Sequence, residues 1–311
     1  MKKITHTLML CLGLVASTCM ALSCMSENNT TINNEYCSIS NDKKQLSDPT
    51  KVESEFRTTK TFSTLASAQG IEVVFTPNNA QKAELKVTAT KNFLKYLQTE
   101  VKDGELSITW DTKALKRDFK KKQQSLAARV EISAPVPSEV KGTSASVIRF
   151  TSATVLPAEF EVDMSSAASF IAEKLSGKHI EVDASSAGSF KAKEVHVANF
   201  KADASSASSI TTEALEATEK AELDASSSSS IKVAFTEDTN AVEAEASSAA
   251  DIKLSGTIRG EAKLEASSGA SVKASNFKPA YSKLRATSGG EIKAPQGKRL
   301  STSTNSGGEI R

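Results

Sequence analysis

The sequence predicts an all-β chain: a right-handed parallel β-helix-like solenoid with coils of about 20 residues, opened by an irregular β N-terminal cap. Three observations predict it. The first is an internal repeat in which a serine is followed four positions later by a β-branched or aromatic residue. The serines are Ser144, Ser166, Ser186, Ser206, Ser227, Ser248, Ser268, Ser288 and Ser306, spaced 22, 20, 20, 21, 21, 20, 20 and 18 residues apart. Their partners are Ile148, Phe170, Phe190, Ile210, Ile231, Ile252, Val272, Ile292 and Ile310, and nine matches in register exceed chance. The second is period-two alternation on both sides of each serine, as in Ile180-Glu181-Val182-Asp183-Ala184 before and Ile231-Lys232-Val233 after. Period two excludes helical repeats, whose units are also longer. The third is composition: 39% hydrophobic but 5% aromatic, with abundant Ala and Ser, which implies a thin interior.

Taken in chain order, Lys2-Lys3 and the apolar run Leu8–Ala16 read as the positive and apolar parts of an export signal covering residues 1–23. The run is too short for a transmembrane helix, and no later run of 18 apolar residues exists. Cys11 and Cys19 fall within the signal, leaving Cys24 and Cys37. An oxidising compartment would allow a Cys24–Cys37 disulfide. Ala21-Leu22-Ser23-Cys24 also resembles a bacterial lipobox, in which Cys24 is diacylated and becomes the new N-terminus. Ordinary cleavage and use of Cys19 are the competing readings. The expected outcome is lipidation at Cys24.

Residues 24–55 are polar and read as a flexible tether that would hold the domain roughly 30 Å from its anchor. Residues 56–141 read as a β cap, continuous with the solenoid at 142–311. Gly70–Pro77 and Ala83–Ala89 alternate as strands, 92–97 suits one helical turn, and Asp103-Gly104 marks a hairpin. A basic loop carrying Lys113, Lys116, Arg117, Lys120, Lys121 and Lys122 suits either plain solvation or contact with an anionic surface or glycan.

At a strand spacing of about 4.8 Å, nine coils would span roughly 40 Å. Ile and Phe form one inward ladder, and Ala184, Ala204, Ala225, Ala246, Ala266 and Ala286 form another, too narrow between them for a cofactor. The serines are expected at corners, their hydroxyls satisfying turn backbone. Ser288-Gly289-Gly290 and Ser306-Gly307-Gly308 suggest tighter turns, and no C-terminal cap covers the last edge, which could dock another β protein.

Two charged ladders follow from the phase: Asp163, Asp183, Asp203, Asp224, Glu245 and Glu265 three positions before the serine, and Lys191, Lys232, Lys253, Lys273 and Lys293 one after the apolar partner. Stacked like charges repel, so the ladders are either a solvated face or a strip for a glycan, an ion or a partner. The Gly-Gly-x-Gly-x-Asp pattern of calcium-binding rolls is absent. His179 and His196 sit at unmatched phases and no base recurs at a fixed offset from the serines, so no catalytic, cofactor or metal residues are expected. The chain has 39 Lys+Arg and 37 Asp+Glu, and removal of Lys2 and Lys3 leaves it neutral, which speaks against nucleic acid as a partner.

Gly70-Ile71-Glu72-Val73 after Phe62, the Asp103-Gly104-Glu105-Leu106 hairpin, Val130-Glu131-Ile132-Ser133-Ala134-Pro135 and the Ser-Ala repeats resemble the head-GIN domain family of auto-transporter adhesins, often envelope lipoproteins. The resemblance covers about residues 56–311 and departs at Glu72, where the family's Gly-Ile-Asn has Asn. It implies a β-helix-like fold at the cell envelope with no known catalytic residues. The expected function is a non-catalytic, lipid-anchored envelope protein, probing a glycan or protein ligand as an adhesin or serving structurally. Its expected place is the outer membrane, on either face. The alternative is a carbohydrate-active β-helix enzyme, a polysaccharide lyase or hydrolase.

Overall fold

A computed structural model describes residues 51–79, 82–119 and 126–311. The expected export signal, Cys24, Cys37 and most of the expected tether therefore lie outside the described residues, as do Lys120, Lys121 and Lys122. The N-terminal part comprises β1 (Val52–Thr59), β2 (Thr64–Ser67), β3 (Glu72–Pro77), β4 (Ala83–Thr90), α1 (Lys91–Leu94), β5 (Leu97–Lys102), β6 (Glu105–Trp110), α2 (Thr112–Asp118) and β7 (Ala128–Ala134). β8 (Glu139–Gly142) and β9 (Val147–Val155) follow, and the repeats continue to Ile310.

Each coil is a strand, a two-residue turn and a second strand, and each strand pairs in parallel with its copy in the next coil. In the first strands Phe160, Ile180, Phe200 and Ala221 stand in register. In the second strands the predicted partners stack without a break from Ile148 through Phe170, Phe190, Ile210, Ile231, Ile252, Val272 and Ile292 to Ile310. Identical phase forces identical register, because a slip by one residue would turn every apolar side chain outward.

The interior is as thin as the composition implies. The Ile, Phe and Ala ladders are buried up to Ile292, and aromatic rings meet where neighbouring coils both supply one: Phe75 stacks on Phe150 at 4.6 Å and Phe170 on Phe190 at 5.4 Å, while Phe150 meets Phe170 tilted at 5.1 Å. Such ring pairs add about 0.5–1.5 kcal/mol beyond the area they bury.

The turns differ from the sequence expectation. Each anchor serine and the residue after it have positive φ, as at Ser186 (47°) and Ala187 (63°), closed by a bond from Gly188 N–H to Ser185 O at 2.7 Å. This is the pattern of a type I′ turn, which favours Asn and Gly and here accepts Ser and Ala. The turn is held from outside itself: Ala187 N–H donates to Ser206 O at 3.0 Å, and Ala167 N–H to Ser186 O at 3.0 Å. The anchor hydroxyls are exposed, so they do not satisfy the turn backbone. That task falls two residues later, where buried Ser146, Ser208 and Ser229 donate to Ser67 O, Ala184 O and Ala204 O at 2.8–2.9 Å. The Gly-Gly coils use the same turn, with Gly289 (74°) and Gly307 (78°), like Gly269 (71°), standing where the earlier coils have Ala or Ser228.

The solenoid begins earlier than the repeat does. β2 and β3 already form a coil around Gln69 (62°) and Gly70 (73°), stacked in parallel on β8 and β9. Between the two coils the chain leaves to build a closing layer. β6 and β7 add in parallel below β2 and β3, and β5, β4 and β1 then pair antiparallel as the outermost strands. The basic segment expected as a loop is partly helical. Asp111 caps α2 by accepting from Ala114 N–H at 2.9 Å, and Leu115 is its buried residue. In the last coil the inward positions change, with exposed Thr302 and Thr304 standing in register on buried Leu284 and Ala286.

Candidate functional site

The acidic ladder lines a groove. Asp183, Asp203, Asp224, Glu245 and Glu265 run along one strand face with Ser185, Ser205, Ser226, Ser247 and Ser267 beside them, ending at Arg285 and Thr287. The groove encloses about 400 Å3. Parallel register places each carboxylate directly over the next: Asp163, Asp183, Asp203, Asp224, Glu245 and Glu265 occupy one column, with Lys141 at one end and Arg285 at the other.

Stacking sets the electrostatics. Partial burial, with Asp203 and Glu245 above and below, pushes the Asp224 carboxyl up to about 6. Burial, then Asp203 and Glu181, raises Asp183 as well. The adjacent column, two residues earlier, supplies partial relief. Lys201 reaches Glu181 at 2.6 Å and Asp203 at 3.1 Å; Lys263 reaches Glu243 at 2.6 Å and Glu265 at 3.0 Å. Two lysines, Lys220 and Lys263, hold Glu243 at about 2 by hydrogen bonding. No lysine bonds to Asp224 among the described residues. The sequence reading missed these cross-coil lysines, although both Lys201 and Lys263 stand five residues before an anchor serine and the phase could have found them.

The predicted lysine ladder lies on the second strands, with Lys232, Lys253, Lys273 and Lys293 in one column. Lys273 bonds to Asp251 at 2.8 Å, and Lys191 to Glu213 at 3.5 Å. The two histidines do not come together. His196 Nδ1 lies 2.9 Å from Glu216 and its Nε2 3.5 Å from Glu194, on the outer face and away from the groove. Among the described residues no group of three or more His, Cys, Asp or Glu is arranged to hold a metal. No serine in the groove has a histidine beside it. The arrangement can bind by charge and hydroxyl, repeated coil by coil.

A family model described as "Putative auto-transporter adhesin, head GIN domain" matches residues 61–242 and 237–311. The chain belongs to the head-GIN domain family. Among solved structures, this head-GIN chain is similar to a "Putative lipid binding protein" from Parabacteroides distasonis, at 15% identity over 83% of this chain and 96% of that one, TM-score 0.53. It is also similar to a "putative adhesin" from the same species, at 13% identity over 82% and 97%, TM-score 0.50. At such identities the likeness concerns the fold. No curated protein matches. No helix among the described residues of the head-GIN chain is long and apolar enough to cross a membrane.

Proposed function

We propose that this head-GIN chain is a non-catalytic binding protein of the bacterial envelope, adhesin-like, held at a membrane by a lipid on Cys24. The observation that supports this reading most is the groove of stacked carboxylates and hydroxyls, which repeats one chemistry over five coils. An active site concentrates different groups at one point, whereas a repeated strip suits an extended glycan or polypeptide. The neutral charge of the exported chain favours such ligands over nucleic acid.

Protease shaving of intact cells, with mass spectrometry of the Cys24 peptide, tests the reading. Release of solenoid peptides together with a diacylated Cys24 supports surface display. Full protection with the acyl group present moves the protein to the periplasmic face and turns adhesion into scaffolding. An unmodified, cleaved N-terminus removes the anchor.

One observation favours the carbohydrate-active alternative: burial pushes the Asp224 carboxyl up to about 6 in a column of further acidic side chains, and glycoside hydrolysis uses two carboxyl groups of which one is raised. A reducing-sugar or unsaturated-product assay on pooled polysaccharides decides it, with Asp224→Asn as the control. Turnover lost on that substitution would replace the binding reading.

A further inference from the structure

The structure gathers cations at one end of the solenoid that the sequence keeps apart. α2 carries exposed Lys113, Lys116 and Arg117, and α1 with the residue after it carries exposed Lys91 and Lys95. Aromatic packing sets the two segments together. The Phe119 ring lies 5.1 Å from Phe93 and 5.8 Å from Tyr96, and Tyr96 Oη donates to Asp118 at 2.6 Å. Acidic answers are few: Glu53 pairs with Lys91 at 2.8 Å and Asp118 with Arg117 at 2.8 Å. Lys95 lies over the Tyr96 ring at 4.8 Å and within electrostatic reach of Asp118, and among the described residues no carboxylate stands within salt-bridge distance of Lys95, Lys113 or Lys116.

This is also the end at which the chain comes in. Lys91 N–H donates to Lys51 O at 3.0 Å, and Lys51 lies 27 residues beyond Cys24. β1, the terminal strand of that end, turns Glu53 toward Lys91 and Arg57 toward Leu97 O and Thr99, while exposed Phe56 lies on its opposite face. Charge is divided to match. Residues 51–134 hold 15 Lys or Arg against 10 Asp or Glu, and residues 135–311 hold 20 against 23.

We propose that this end is a docking surface for anionic phospholipid headgroups. Lys91, Lys95, Lys113, Lys116 and Arg117 supply the charge. The inference rests on the proposed acylation of Cys24, because the tether is what brings the basic end to the bilayer. A lipid on a flexible tether leaves orientation free. A basic end fixes it, standing the solenoid on its closing layer with the last coil directed away. Each Lys or Arg near an anionic surface multiplies membrane partitioning about fivefold, so five act strongly together and weaken with salt.

The test uses the exported full chain with Cys24→Ser, which no acyl group can hold, and vesicles of phosphatidylglycerol with phosphatidylcholine or of phosphatidylcholine alone. Cosedimentation with the anionic vesicles at low salt, lost at high salt and absent on the neutral ones, is the expected result. Lys95→Gln, Lys113→Gln, Lys116→Gln and Arg117→Gln combined should lower the partition coefficient about 100-fold or more. Phe56→Ser, on the opposite face of β1, should leave it unchanged. All five positions are exposed, and circular dichroism verifies that the variants fold. Absence of binding to anionic vesicles, or equal binding by the fourfold variant, overturns the proposal. So does equal affinity for soluble polyglutamate, which would make the patch a site for acidic protein. Acylation is read separately, from the Cys24 peptide of the native chain. Vesicle binding with an unmodified Cys24 upholds docking while the anchor fails, and an acylated Cys24 without vesicle binding does the reverse.

Discussion

The closing layer, built from β1 and β4 to β7, and the repeats beyond residue 139 solve the same problem with different means. In the repeats one column sets Glu181 against Lys201 and Glu243 against Lys263, but in the inward ladder and the acidic column each side chain stacks on its own kind, so one choice of residue is multiplied. Phe170 over Phe190 gains from this, with rings 8° from parallel, and Asp224 between Asp203 and Glu245 loses. In and beside the closing layer unlike residues meet: the antiparallel β4 sets Lys86 against Glu131, Arg129 meets Glu131 along β7, and Arg129 and Arg149 share Glu72 of β3, which pairs with both their strands in parallel. Two carboxylates summarise the contrast. The Arg117 guanidinium, with Tyr96, holds Asp118 at about 2, while burial and its own ladder push Asp224 up to about 6. Repetition amplifies packing and penalises charge; non-repetition allows charges to be paired one by one.

The largest break in that comparison should come from a ring in the ladder. Phe170→Ala removes a fully buried side chain touching rings on both sides and should cost about 3–5 kcal/mol in urea unfolding. Phe119→Ala, half-buried in the closing layer, should cost less than half as much, and equal losses would mean that the ladder has no special weight. Next is Gly188→Ala. A Cβ there would stand 2.0 Å from Met164 O, so backbone must shift between two coils at about 1–3 kcal/mol. Gly308→Ala meets Ala286 O at 2.1 Å in the last coil, where only one neighbour resists, and a smaller loss in hydrogen-exchange protection is expected.

A gain comes third. Ala187 has a φ of 63°, so Ala187→Gly relieves a left-handed residue. Part of the relief is offset by a freer unfolded chain. A net stabilisation of about 0.5–1 kcal/mol is expected in thermal unfolding. Destabilisation there would mean that the serine-alanine turn is held by more than its backbone ladder.

The smallest effect is electrostatic. An Asp224 carboxyl raised to about 6 in the folded chain keeps its proton where the unfolded chain has lost it. Stability should therefore fall as pH rises from about 4 to 6, and Asp224→Asn should flatten that slope. Asp118 runs the other way, because its folded value lies at about 2. Its contribution is lost only as pH falls below the ordinary carboxylate range, so Asp118→Asn should leave the slope from 4 to 6 unchanged. Identical slopes in all three chains would remove the contrast between paired and stacked acids.

The repeat, its period and its inward ladders were legible because each rests on local alternation seen nine times over. The turn conformation was not, since Ser-Ala has no intrinsic preference for two positive φ values. Only the hydrogen bond from Ala187 N–H to Ser206 O on the next coil makes that turn worthwhile. For the same reason the satisfying hydroxyl was misplaced by two residues, from exposed Ser206 to buried Ser208. In the candidate site the acids were legible by phase, but the groove they line and the lysines bridging them require the stacking itself. The first coil at Gln69-Gly70 was hidden because the residues between 77 and 139, which carry β4 to β7, interrupt the spacing.

Sequence by itself thus determined which residues face inward, how often the chain turns and which family it joins, because these depend on periodicity and composition along one strand. Tertiary structure alone decided which carboxylates become hard to ionise and which cations share an end. Both depend on distances between residues 20 or more positions apart, and a sequence records order, not distance.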